Sequence, residues 1–343
     1  MEFPKDVSAE RGLRGGIVYS VLICLAMILA GGWLAQYTLA PVPPNDGFFY
    51  DWQLAAPTAL GAVTYWGGFA LHTLLVWLTI WWAQNRTDRS YTSVLRPVNI
   101  VALGINGLFI ALHYLQTLVF YDGIAQDVPS WVSQSTVIMM LFVILAMENR
   151  RRGLFFGRKI NFKQEFYHWL RDYHGYAFSF AVIFTFWFHP LVPTQGHLLG
   201  ALHVMLVMLQ GSLMFTRVHL NRNWRFLLEI LVLPHGALVA LGQGGGLVYM
   251  FLYGFLTIFI VTQMHGLGLK PWVKYLFGAG YLITIFITYT LLRPPFMVNE
   301  VIRIPLIDYV MVFATYAVWW LLARLGSQSK FMRTDDPVLT SGD

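Results

Sequence analysis

The chain has 343 residues, of which 57% are hydrophobic and only 12% charged, with a mean hydropathy of +0.57. Soluble domains are about half apolar and about a quarter charged, so a soluble fold is excluded and an all-α, polytopic integral membrane protein is expected. The formal net charge of +6 does not point to nucleic acid, because the basic residues sit at the ends of long apolar runs, where they set topology.

Ten stretches reach about the 20 mostly apolar residues that a membrane span needs. In chain order they are 16–40, 60–83, 98–121, 131–147, 169–188, 197–216, 224–241, 246–264, 271–292 and 305–325. No polar block between them is long enough to fold by itself, so residues 1–343 read as a single transmembrane domain. The first stretch follows Lys5, Arg11 and Arg14 but exceeds the roughly 7 to 15 apolar residues of a signal peptide, and it is expected to be retained as a helix. Cys24, the only cysteine, lies inside it, so no intrachain disulfide forms.

Cytoplasmic loops carry the Lys and Arg excess. When alternate loops are assigned to opposite sides with the N-terminus inside, all of the 23 Lys and Arg residues except Arg293 and Arg303 fall on the inner side. That asymmetry predicts ten helices with both termini cytoplasmic, in a bacterial inner (cytoplasmic) membrane. The outer connections are rich in turn formers: Pro41 to Gly47, Asp122-Gly123, Pro190 to Pro193 and Gly242 to Gly246. The last of these lacks the Lys-Ser/Thr tail and flanking strand of a phosphate cradle and reads as a tight hairpin. Asn85-Arg86-Thr87 matches a glycosylation sequon, but the topology puts it on the cytoplasmic side. The longest inner loop holds Arg150, Arg151, Arg152, Arg158 and Lys159, a basic cluster suited to orienting the chain and to binding anionic headgroups. Its Leu154-Phe155-Phe156 interruption is expected to dip into the membrane interface. Trp66, Trp81, Trp82, Trp131, Trp224, Trp272, Trp319 and Trp320 fall toward span ends, as interfacial belts do.

Seven of the ten histidines lie between His168 and His235. Ionisable groups are expensive in hydrocarbon, so when they recur along spans they face a cavity, a cofactor or one another. At about 1.5 Å per residue, His113, His203 and His235 share one depth, roughly 10 Å inside the outer boundary. His189 and His197 flank the loop above them, and His72 lies beneath. A looser inner set comprises His174, Glu229 and His265, with His168 and His219 at the surface. Gly196, Gly200 and His203 share one helical face, and such small residues admit a neighbouring backbone or a flat ring.

Imidazole ligates haem iron as well as zinc, copper and non-haem iron. The first expectation is therefore a redox protein holding b-type haem through pairs drawn from His113, His189, His203 and His235, with His174 in a second, inner layer and quinone as a partner. Three imidazoles at one depth also make a candidate zinc site of His113, His203 and His235. A membrane-embedded enzyme acting on a lipid-linked substrate is a second class. Ten helices with both ends inside and the Gly12-Leu13-Arg14-Gly15 start resemble integral-membrane acyltransferases, in topology and those four residues only. The first-helix histidine that such a resemblance implies is absent. A proton-coupled transporter is a third class, with Glu229 and His235 as proton-handling groups, and a subunit or assembly factor of a larger membrane complex is a fourth.

Overall fold

The structure, a computed structural model, describes residues 7–43, 49–243 and 247–325. Lys5, Pro44 to Gly47, Gly244 to Gly246, Lys330 and Arg333 lie outside the described residues, and with them part of two expected turns and three of the counted charges.

Each of the ten stretches holds a helix. The order is α1 (Ala9–Leu29), the single turn α2 (Gly31–Leu34), α3 (Ala59–Arg86), α4 (Pro97–Phe120), α5 (Ser130–Arg152), α6 (Gln164–Phe188), α7 (Gln195–Ser212), α8 (Arg222–Gln243), α9 (Leu247–Val261), α10 (Pro271–Ile287) and α11 (Glu300–Leu325). Among the described residues, eight helices are long and apolar enough to cross a membrane, which makes this an integral membrane protein. The two below that threshold are α6 and α7. They are diluted by His168, His174, His197 and His203.

The chain divides into two compact units, residues 1–137 with 176–248 and residues 138–175 with 249–343. In the first, α3 packs on α4, α7 on α8, and α1 and α4 both pack on α7. The glycines at the start of α1 explain part of this packing. A Cβ on Gly16 would fall 2.4 Å from Leu209 Cδ1 and one on Gly12 3.0 Å from Leu95 Cδ1, so Gly12 and Gly16, one turn apart, form a packing face. Ser8 caps α1 by accepting from the Arg11 amide at 3.2 Å. Asn99 donates to the carbonyls of Ser212 (2.9 Å) and Met214 (2.8 Å), satisfying groups that the end of α7 leaves open.

Loops of this unit gather at two ends. At the end where α1 starts, Ala9 N donates to Ser93 O, Leu95 N to Val7 O and Arg217 N to Thr92 O, each at 2.8 Å. At the other end, Ala40 N donates to Gln53 O at 2.8 Å and Leu191 N to the Thr117 hydroxyl at 3.2 Å. At the first of these ends, segments assigned to one side from their charge are thus hydrogen-bonded to each other.

In the second unit, Asn149 staples the basic loop, donating to Ile160 O at 2.8 Å and accepting from Ile160 N at 2.9 Å. The loop then closes on Gly153 (φ 75°) and Gly157 (φ 82°), left-handed positions that suit glycine. This overturns the expected dip of the whole Leu154-Phe155-Phe156 run. Leu154 is buried, Phe155 packs on Tyr309 with ring centroids 4.7 Å apart, and only Phe156 projects, 62% exposed. The π turn Thr288–Leu292 after α10 lies beside a buried charge: Tyr289 donates to Glu300 at 3.0 Å, and Arg293 pairs with the same carboxylate at 2.5 Å. One of the two cations that the charge pattern assigns to the outer side is thereby neutralised. Pro305 interrupts the ladder of α11, and the Val301 carbonyl it frees accepts from the Thr257 hydroxyl at 3.1 Å.

Candidate functional site

The site lies at the end of the first unit where α6 runs into α7. Pro190 and Pro193 cannot continue a helix, and the chain re-enters one at Thr194. The Thr194 hydroxyl accepts from the His197 amide at 3.3 Å, capping α7, and also shares a 2.6 Å hydrogen bond with His197 Nδ1. The cap therefore fixes one ring nitrogen of His197. Its Nε2 bonds the hydroxyl of Tyr50, which in turn lies 2.8 Å from His189 Nδ1. Trp52 closes edge-on against His197 at 4.7 Å, and Phe188 against Tyr50 at 5.5 Å.

The result is a continuous chain, Thr194–His197–Tyr50–His189. It has two self-consistent polarities. In one, Thr194 donates to His197 Nδ1, His197 Nε2–H to Tyr50, and Tyr50 to His189 Nδ1; in the other every proton has moved one place in the opposite direction. Such a chain passes a proton by exchanging tautomers, without any side chain travelling. His189 and Tyr50 lie in connections outside the spans. Burial first, then His197, His235 and His113, holds His189 well below the ordinary imidazole value. Burial, then Tyr121 and Asp51, pushes the Tyr50 phenol well above its own. Both are neutral near pH 7, the state in which tautomer exchange operates.

His235 of α8 completes the group. The Cε1 edge of its ring lies close against Gly200 of α7, where a Cβ would fall 2.5 Å from His235 Cε1. The room left at Gly200 is taken up by this imidazole. His235 Nδ1 is buried and has no hydrogen-bond partner among the described residues, and its charge would be felt by His189, His197 and His203. His203 shares a 2.9 Å hydrogen bond through Nε2 with Leu228 O, tying α7 to α8.

His113 has a different role. It is fully buried, with Nδ1 on Gln116 Oε1 at 3.1 Å and Nε2 on His189 O at 2.9 Å. With both nitrogens committed it positions the His189 backbone and does not ligate iron or zinc in this arrangement. The trio His113, His203 and His235 is not assembled as a ligand set, and no three His, Cys, Asp or Glu side chains among the described residues are placed to hold a metal ion. His72 is likewise committed, to Asn106 Oδ1 at 2.8 Å and to the Trp187 indole N–H at 3.3 Å, and is stacked on Phe109. Glu229 is half-buried on α8, six residues before His235. His174 belongs to the second unit, with Nδ1 2.7 Å from Arg171 O. The nitrogens still open to a haem iron are thus those of His189, His203 and His235.

Sequence reasoning missed Tyr50, Trp52 and Thr194. The only available signal was the aromatic Tyr50-Asp51-Trp52 run in an outer connection, where aromatic residues are ordinary. No family model, no curated protein and no solved structure matches this chain.

Proposed function

We propose that this chain is a ten-span protein of a bacterial cytoplasmic membrane, with both termini and the basic loops inside. On this reading it handles protons near the extracytoplasmic face through Tyr50, His189, His197 and His235, in the service of proton-coupled transport. The observation that carries the reading is the unbroken chain from Thr194 to His189, with the unsatisfied His235 Nδ1 beside it. A buried polar atom without a partner costs about 1–3 kcal/mol, and a substrate that hydrogen-bonds His235 Nδ1 relieves that cost. Glu229 lies on the same helix toward the other face and is the group to which a proton would pass next.

The test uses the full chain in liposomes containing a pH-sensitive dye, with an imposed potassium diffusion potential. The expected result is proton uptake that falls at least tenfold in Tyr50→Phe, which keeps the ring and removes the bridging hydroxyl. Nitrogen NMR of labelled histidines should show the tautomers of His189 and His197 uncoupled in the same variant. Equal uptake by wild type and variant sinks the reading.

A second reading, b-type haem with quinone as electron partner, is favoured by the open nitrogens of His189, His203 and His235. When bound, haem would supply one-electron chemistry there. A Soret band in the purified protein that is lost in His235→Ala supports it; a colourless protein removes it. The exposed Phe156 with Arg158 and Lys159 fits anionic lipid headgroups as the partner of the inner face.

A further inference from the structure

α11 carries an acid that the site above does not use. Asp308 is 0% exposed, and neither carboxylate oxygen has a hydrogen-bond partner among the described residues. A structural aspartate caps a helix, meets a cation or accepts from a buried donor; this one does none of these. Several elements of its unit present uncharged groups to α11: Gly254 and Thr257 of α9, Thr262 just beyond, Phe155 of the basic loop's turn, and Phe162 and Phe166 at the approach to α6. The Tyr309 hydroxyl is taken up by Thr262 at 2.7 Å, and Thr262 donates onward to Leu154 O at 2.6 Å. Arg293 is held by Glu300. Arg152 is felt at Tyr309.

An ionised carboxylate without a partner in such surroundings would be costly to keep, so the group neutralises itself. A metal cation is the poorer occupant, because hard cations need about six or more oxygen ligands and no acidic or imidazole cluster forms among the described residues. We propose that Asp308 is a proton-binding site of the second unit, a buried carboxylic acid that exchanges its proton with water and contributes nothing to the fold. The site is independent of the Tyr50 chain in the first unit.

Infrared spectroscopy of the full-length protein in lipid discs tests this. The expected result is a protonated-carboxyl C=O band at neutral pH that shifts in D2O, disappears in Asp308→Asn, and is unchanged in Tyr50→Phe, with Asp308→Asn melting no lower than wild type. If Asp308→Asn does not accumulate, the wild type is treated with dicyclohexylcarbodiimide. The acid proton goes to a carbodiimide nitrogen, the carboxylate oxygen bonds the central carbon, and the adduct rearranges to an N-acylurea on the Asp308 peptide. A band that survives in Asp308→Asn, a band that never shifts in D2O, or an unmodified peptide overturns the proposal.

Discussion

Gly200 offers the sharpest check on the packing of the site. Replacing its hydrogen by a methyl places a carbon 2.5 Å from His235 Cε1, 3.1 Å from Nδ1 and 3.2 Å from Nε2. All three distances are below ordinary van der Waals contact, so the imidazole must be displaced. Overpacking of this kind costs about 1–3 kcal/mol. Gly196, one turn earlier on the same face, is the internal control: its Cβ would meet Val239, with Cγ2 at 3.3 Å and Cα at 3.9 Å. We expect Gly200→Ala to lower the thermal midpoint of the purified protein by several degrees, at roughly 2–4 °C per kcal/mol, and Gly196→Ala to change it by less than half as much. Removing the ring should remove the clash, so Gly200→Ala combined with His235→Ala should be more stable than the sum of the single changes by about 1 kcal/mol or more. If the two glycine variants melt together, or the double variant is strictly additive, the ring does not lie on Gly200 and the site described here is wrong.

Asp122 lies outside the spans, and burial raises its carboxyl from 3.8 to about 6, with Asp127 adding to the rise. The folded state therefore holds this proton more tightly than the unfolded state. Its contribution is complete below pH 3.8 and is lost as pH rises through about 6. Asp122→Asn should flatten that decline and be more stable at pH 8 by about 1–2 kcal/mol, measured by chemical denaturation across pH. Phe156 sits at φ 50° while largely exposed, a conformation that costs a non-glycine residue about 1–2 kcal/mol. Phe156→Asn should leave the melting temperature equal or higher while reducing co-purification of anionic lipid; a lower melting temperature would show that the phenyl packs on protein. With Cys24→Ala as background, Lys159→Cys should react with an impermeant maleimide only in inside-out vesicles and Gln195→Cys only in right-side-out cells. The reverse pattern inverts the topology. His113→Leu strips a partner from Gln116 and from the His189 carbonyl and should destabilise by about 2–5 kcal/mol, read as loss of folded protein on detergent extraction.

Hydrophobic runs and turn residues located the helices well, because span length and loop chemistry are local properties. The stretches of α6 and α7 were counted on apolar length like the others, although the two helices fall below a stricter hydropathy threshold, and the charge asymmetry served as a test of that count. The lateral position of each histidine was less legible. Depth along a helix follows from residue number, but which nitrogen is free depends on neighbours far away in sequence, such as Gln116 and the His189 carbonyl for His113, or Leu228 for His203. Those partners are mostly backbone atoms and leave no mark in a composition. Tyr50 was invisible for a related reason: it reaches the histidines from a connection, and nothing distinguishes it from any interfacial aromatic until the chain is folded. Asp308 was visible as an acid in a span. Its lack of any partner was not.

The hydroxyl of Thr194 closes the first turn of α7 and at the same time touches the ring of His197. When the ring accepts at Nδ1, that hydroxyl must donate; when the ring carries the proton, the hydroxyl must rotate to receive it. A threonine rotor at the head of a helix thus registers where the mobile proton rests. Serine at this position keeps the rotor, whereas valine, of nearly the same volume, would leave the turn uncapped and freeze the imidazole in one tautomer.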